Sequence, residues 1–269
     1  MSYPERIVCL TEETTETLYL LEEDWRIVGI SGFTVRPAKA RREKPKVSAF
    51  TSAKIGRILE LEPELVLGFS DIQADIAAEL IRNGIEVHVF NHRSIEEIFR
   101  MIRMLGGMIG CQQKAQILAE KLEDGLKEIH ESARALPRRP RVYFEEWDEP
   151  MISGIRWVSE LIEIAGGDDV FPEHAREPLA KNRIHADAEE VIERQPDIIF
   201  GSWCGKKFRP DSVASREGFD RIPAVRDGEL HEIKSPIILQ PGPAALTDGV
   251  REIHAHIRRW AEGNAGRDG

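Results

Sequence analysis

The sequence predicts an α/β protein of two Rossmann-like lobes with parallel sheets, joined by one long bracing helix. Three observations predict it. Short apolar runs alternate with amphipathic segments in the first third, one unbroken amphipathic stretch runs from Gln113 to Leu136, and a phrase of the first half is echoed in the second.

In order along the chain, residues 7–10, 27–30, 65–68 and 86–90 are apolar runs of strand length. Helical spacing at 55–59 and 76–81 sits between them, and Asn83-Gly84 supplies a left-handed stop before the next strand. Strands alternating with helices make βαβ units and a mostly parallel sheet. From 113 to 136, Ile117, Leu118, Leu122, Leu126, Ile129 and Leu136 recur at three and four with no internal proline, and Pro137 closes the run. At 1.5 Å per residue this helix spans about 36 Å, enough to brace two lobes. Arg138-Arg139-Pro140 marks a boundary, and a new strand starts at Val142-Tyr143-Phe144. The expected domains are therefore an N-terminal lobe at 1–112, a connecting long-helix segment at 113–138 and a C-terminal lobe at 139–269. The echo pairs residues 58–68 with 191–201: a short helix ends before Pro63 or Pro196, an apolar strand ends in Gly68 or Gly201, and Phe69 or Trp203 follows.

Composition removes several functions. The 37 Lys and Arg against 47 Asp and Glu give a net charge of -10, which opposes nucleic acid and anionic membranes. No apolar stretch approaches the roughly 20 residues of a membrane-spanning helix. Cys9, Cys111 and Cys204 lie in no metal or disulfide spacing. The N-terminus, Met1 to Arg6, shows no basic, apolar or cleavage region, so the chain as written carries no export signal and is expected in the cytoplasm.

In open α/β sheets, ligands bind beyond the carboxyl ends of the strands. There the sequence places Phe33, Phe50, Phe69, Trp147 and Trp203, where loop tips ordinarily carry small polar residues. As a set they would line a large apolar cleft; singly, each would cap the core of its own lobe. Signals for catalysis are weak. No GxSxG, GxGxxG or phosphate-loop motif occurs, and Gly166-Gly167 reads as the end of a helix from Trp157 to Ala165. Glu145, Glu146, Asp148 and Glu149 surround Trp147, as paired carboxylates, metal ligands or a solvated acidic loop. Cys204 has Lys206 and Lys207 beside it, which could lower a thiol pKa, but with no definite His partner it reads as inert. His88, His92, His254 and His256 lack metal-ligand spacing and are expected to be structural. Basic residues concentrate in two stretches: Lys206 to Arg226, read by default as a solvated face, and the denser Arg36 to Lys46, which lies between Phe33 and Phe50 and would make a basic rim beside the cleft. No catalytic residue, metal ligand or catalytic cofactor is assigned.

The order of these parts resembles the helical-hinge class of ABC-importer solute receptors, especially the vitamin B12 receptors and their siderophore- and haem-binding cousins. The matching stretches include Val28-Gly29-Ile30-Ser31-Gly32-Phe33, Val47-Ser48-Ala49-Phe50, Leu61 to Phe69, Ile152-Ser153-Gly154, Gln195 to Ile199 and Pro241-Gly242-Pro243. The resemblance implies a non-catalytic monomer binding a corrinoid, cobalamin or a relative, between its lobes against Phe33, Phe50, Phe69, Trp147 and Trp203. Aromatic faces suit a flat, largely apolar macrocycle. An iron-siderophore or haem is the alternative ligand, for which arginines or Tyr/His iron ligands are typical; only Tyr3, Tyr19 and Tyr143 exist here. A metal-assisted enzyme built on Glu145, Glu146 and Asp148 is the further alternative. The family also implies an extracytoplasmic location and an ABC permease partner recognised by a surface glutamate on each lobe. In the first lobe Gly56 stands where that glutamate is expected, and Ala244 replaces an arginine that many relatives carry. Docking is thus expected to be lost or altered, as in a soluble relative of the importer receptors.

Overall fold

A computed structural model describes residues 3–265; Met1 and Ser2, part of the N-terminal reading, and residues 266–269 lie outside the described residues. The chain divides into two units, Met1–His92 with Glu96–Leu122, and Arg93–Ile95 with Glu123–Gly269.

In the first unit, strands β1 (Ile7–Cys9), β2 (Ile27–Ser31), β3 (Lys46–Ser48), β4 (Leu65–Phe69) and β5 (Val87–Phe90) form a sheet of order β3-β2-β1-β4-β5. Every pairing is parallel. A parallel sheet is covered by crossover helices on both faces, so its central strands read as continuous apolar runs; Ile7, Val8 and Cys9 are fully buried. The helix Ala74–Arg82 ends at Asn83, and Gly84 takes φ +80°. Strand β3 was not expected: three residues at a sheet edge are too few for a period to show.

The second unit contains β6 (Arg141–Asp148), β7 (Met151–Ser153), β8 (Asp168–Asp169), β9 (Ile198–Gly201) and β10 (Leu230–Glu232). The sheet order is β10-β9-β6-β7, with β8 also on β6. All these pairings are parallel except β6 with β7. That hairpin corrects the sequence reading. Strand β6 continues past Phe144 to Asp148 because Trp147 pairs with Ile152 and Asp148 with Met151. Trp147 and its acidic neighbours therefore belong to a strand, not to a loop following one. The helix Arg156–Ala165 ends on Gly166 at φ +99°, the stop that Gly166-Gly167 predicts.

The internal echo extends to the backbone. Glu62 and Gln195, each directly before the proline of its copy, both adopt the left-handed region, with φ of 45° and 47°. The next acidic residue then clamps the strand in the middle of its sheet. In the first unit, the Glu64 carboxylate accepts from the Arg6 N–H while the Glu64 N–H donates to Arg6 O. In the second, Asp197 does the same to Arg141, at 2.8 and 2.7 Å. Strand β4 consequently pairs with β1 in the way that β9 pairs with β6.

The long helix is Gln112–Arg134. Ala115, Ala119 and Leu122 make its buried stripe in the first unit, and Leu126, Ile129 and Ala133 in the second. His254, on the helix Val250–Gly263, fixes its later half. Its Nδ1 donates to Ala165 O at 2.8 Å, which leaves Nε2 to accept from Ser132 Oγ at 3.0 Å. No helix among the described residues is long and apolar enough to cross a membrane.

Candidate binding site

In the first unit the carboxyl ends of β2, β3 and β4 carry Phe33, Phe50 and Phe69. Phe33 is 58% exposed, Phe50 is half-buried, and Phe69, the last residue of β4, is 7% exposed. One buried side chain organises two of these ends. Gln73 Oε1 accepts from the Phe69 N–H at 2.9 Å, and its Nε2 donates to Phe50 O at 3.0 Å and Leu10 O at 3.3 Å. The Phe69 ring meets His92 edge-on at 5.1 Å.

The Phe33 loop is held from the helix Glu12–Leu20. Glu12 Oε1 accepts the N–H groups of Val35 and Arg36 at 3.2 and 2.8 Å, and Glu16 pairs with the Arg36 side chain at 3.0 Å. Arg41 donates to Gly32 O and Thr34 O at 2.7 and 3.2 Å. Part of the first basic stretch, Arg36 and Arg41, thus fixes this loop. Burial pushes the carboxyls of both Glu12 and Glu13 up to about 7.

In the second unit Lys206 joins the two tryptophans. Its ammonium stands 4.4 Å from the ring centre of Trp147 and 5.1 Å from that of Trp203, and it pairs with Asp148 at 2.5 Å. Trp147 is half-buried. Trp203, 4% exposed, sits in this unit's core against Phe208, ring centres 5.0 Å apart. Its indole N–H donates to Glu145 Oε1 at 3.0 Å. Glu145 is completely buried and held in a fork by Arg216 at 2.5 and 2.9 Å, with the Tyr143 hydroxyl at 3.4 Å. Two open cavities flank Trp203. One of about 310 Å³ is lined by Asp148, Lys206, Lys207, Arg209 and Ser212, and another of about 560 Å³ by Lys206, Lys207, Glu232 and Lys234 among others. Cations outnumber acids around both.

Several sequence expectations are corrected here. Of the four acidic residues around Trp147, Glu149 is exposed in the turn after β6, but the other three form neither a solvated loop nor a free carboxylate cluster. Glu145 is paired with Arg216, Glu146 with the buried Arg183 at 2.7 Å, and Asp148 with Lys206. Each of these three carboxylates answers a different cation, and the strand carries a register shift between Glu145 and Trp147. That arrangement removes the basis for a metal-assisted enzyme on Glu145, Glu146 and Asp148. The Cys204 thiol is pushed up, by desolvation first and by Glu146 second, and not lowered by its lysine neighbours. The second basic stretch divides: Arg216 enters the interior, Arg221 pairs with Glu189, and Lys206, Lys207 and Arg209 line a cavity. Gln73, Arg183 and the role of Lys206 escaped sequence reasoning, since a polar residue after a strand carries no signal of which distant group it meets.

The profile of the periplasmic binding protein family matches residues 7–237. A vitamin B12-binding protein of Vibrio parahaemolyticus is 25% identical, over 94% of this chain and 89% of its own length. An ABC transporter substrate-binding lipoprotein of Bacillus subtilis is 25% identical, over 94% and 80%. Among solved structures, the periplasmic vitamin B12-binding protein of Vibrio cholerae superposes with a TM-score of 0.75 at 20% identity, covering 97% of this chain and 99% of that one. A periplasmic haem-binding protein from a Roseiflexus species reaches 0.81 at 21%, covering 96% and 99%. At these identities the structural likenesses carry the fold alone.

Proposed function

Because this chain belongs to the periplasmic binding protein family, we propose that it is a non-catalytic receptor for a flat macrocyclic solute, a corrinoid in the first place, bound through Phe33, Phe50, Phe69, Trp147 and Trp203. The observation that carries this reading is the placement of aromatic rings at strand carboxyl ends in each unit, with their loops pinned by buried polar groups. Phe33 offers an open face and Trp147 a partial one; Trp203 supplies the fixed floor beneath Lys206. Such faces bury apolar area on a macrocycle without requiring a charge partner. The name of the Vibrio parahaemolyticus relative supports a corrinoid.

A second reading, an anionic macrocycle or iron chelate such as haem or a ferric siderophore, is favoured by one observation. Lys206, Lys207, Arg209 and Lys234 line the cavities beside Trp203 and suit carboxylates. An ABC importer is the proposed destination of the solute, and the chain then acts outside the cytoplasmic membrane as a monomer. Gly56, exposed on the helix Ile55–Glu60, offers no carboxylate to a permease, so docking on the first unit falls to other groups.

The test titrates purified protein with cyanocobalamin, cobinamide, haemin and a ferric siderophore, reading heat and visible absorbance. Saturable corrinoid binding, weakened by about 1–3 kcal/mol in Trp147→Ala, supports the first reading. Preferential haemin or siderophore binding that falls with salt and in Lys206→Ala supports the second. No heat and no spectral change with any of the four overturns both.

A further inference from the structure

Beyond solute binding, we propose that the second unit holds a divalent transition-metal ion of the zinc class between His174, His185 and Glu190. One nitrogen from each imidazole and a carboxylate oxygen of Glu190 lie within 4.8 Å of one another. The three ligands come from separate pieces of chain. His174 opens the short turn His174–Arg176, His185 follows a segment bridged to β7 with its N–H on Met151 O at 2.9 Å, and Glu190 lies on the helix Ala188–Arg194.

The distances suit a shared ion. Two ligand atoms about 2.1 Å from one tetrahedral ion lie roughly 3.4 Å apart, and His185 Nδ1 is 3.2 Å from Glu190 Oε2. Two imidazoles on such an ion hold their ring centres about 5 Å apart; those of His174 and His185 are 4.9 Å apart. The surroundings are those of a built site. The His185 side chain is 0% exposed and packed on the rings of Phe171 and Tyr143, which fix the ring with Nδ1 toward Glu190. His174 is oriented from outside the cluster, its Nδ1 bonded to Ser153 Oγ at 3.0 Å, which leaves Nε2 for a metal. Glu190, 41% exposed, gives the ion a route in. The neighbouring cation Arg194 is engaged by Glu173 and Val170 O. Two imidazoles and one carboxylate match the ligand preference of zinc and leave a fourth position open to water. The ion would clamp the turn at 174, the segment at 185 and the helix beginning at Ala188.

The test uses the untagged full chain, stripped with a chelator and free of solute, titrated with Zn²⁺ against a chromogenic chelator. One Zn²⁺ per chain is expected, with a rise in melting temperature. His174→Ala and Glu190→Gln should each weaken uptake about 100-fold or more, and Ser153→Ala about tenfold. His256→Ala, in the ring pair His231–His256 elsewhere in this unit, should leave uptake unchanged. Circular dichroism confirms that each variant is folded. The proposal is overturned if the folded wild type takes up no stoichiometric metal, if uptake survives both His174→Ala and Glu190→Gln, or if His256→Ala abolishes it.

Discussion

Replacing Arg216 by alanine tests the group on which Trp203 rests. The guanidinium forks onto Glu145 at 2.5 and 2.9 Å, and Glu145 is wholly buried. Without Arg216 the carboxylate keeps only the Trp203 indole at 3.0 Å and the long Tyr143 hydroxyl contact at 3.4 Å. Breaking one partner of a buried pair leaves an uncompensated charge and costs about 3–5 kcal/mol. The deficit of Arg216→Ala relative to wild type should be of that size. Guanidinium unfolding followed by tryptophan fluorescence measures it, since Trp147, Trp157, Trp203 and Trp260 all lie in the second unit and only Trp25 in the first. Adding Glu145→Gln should recover about 1–3 kcal/mol, because the neutral amide is cheaper to bury. A loss under about 1 kcal/mol would refute a buried and paired Glu145.

Two sets of groups should respond to acid in opposite senses. Glu12 and Glu13 are pushed up to about 7 by burial, so between roughly 4.5 and 7 these carboxyls bind more protons folded than unfolded and add stability to the first unit as pH falls, up to about 3 kcal/mol per group. His256 is lowered to about 4 by burial, then by His231 and Arg259, so this ring takes stability from the second unit as pH falls from about 6.5 toward 4. The His256 contribution is about 2 kcal/mol for this half-buried ring; tryptophan-detected unfolding of His256→Gln should show a flatter slope there, and an unchanged slope sinks the assignment. Gln73→Ala strands the Phe69 N–H and two carbonyls, for a loss of about 3 kcal/mol, and should speed hydrogen exchange at Phe69. Gly249→Ala would set a Cβ 2.2 Å from the backbone oxygen of Ile237; a destabilisation of about 2 kcal/mol is expected, and a neutral result in thermal melts would show that this packing is wrong.

What the sequence determined by itself is what short-range pattern encodes. Strands β1, β2, β4 and β9 fall on apolar runs, because a strand buried on both faces must be apolar throughout, and the half-buried edge strand β5 shows as a shorter run broken by His88. The helix Gln112–Arg134 follows from apolar residues at three and four, and the kinship of the two units from the phrase repeated around Pro63 and Pro196, where even the left-handed Glu62 and Gln195 recur. Tertiary structure alone decided the rest. Whether Trp147 sits in a strand depends on β7, which follows a hairpin at Glu149-Pro150 and shows no period of its own. Whether Glu145 is solvated depends on Arg216, 71 residues away, and whether Phe69 is held depends on Gln73 reaching Phe50 and Leu10. His174, His185 and Glu190 gather only because a turn, a bridged segment and a helix pack together. Backbone periodicity is written in neighbouring residues. The pairing of charges and polar groups is fixed by distances across the fold, and no local pattern records those.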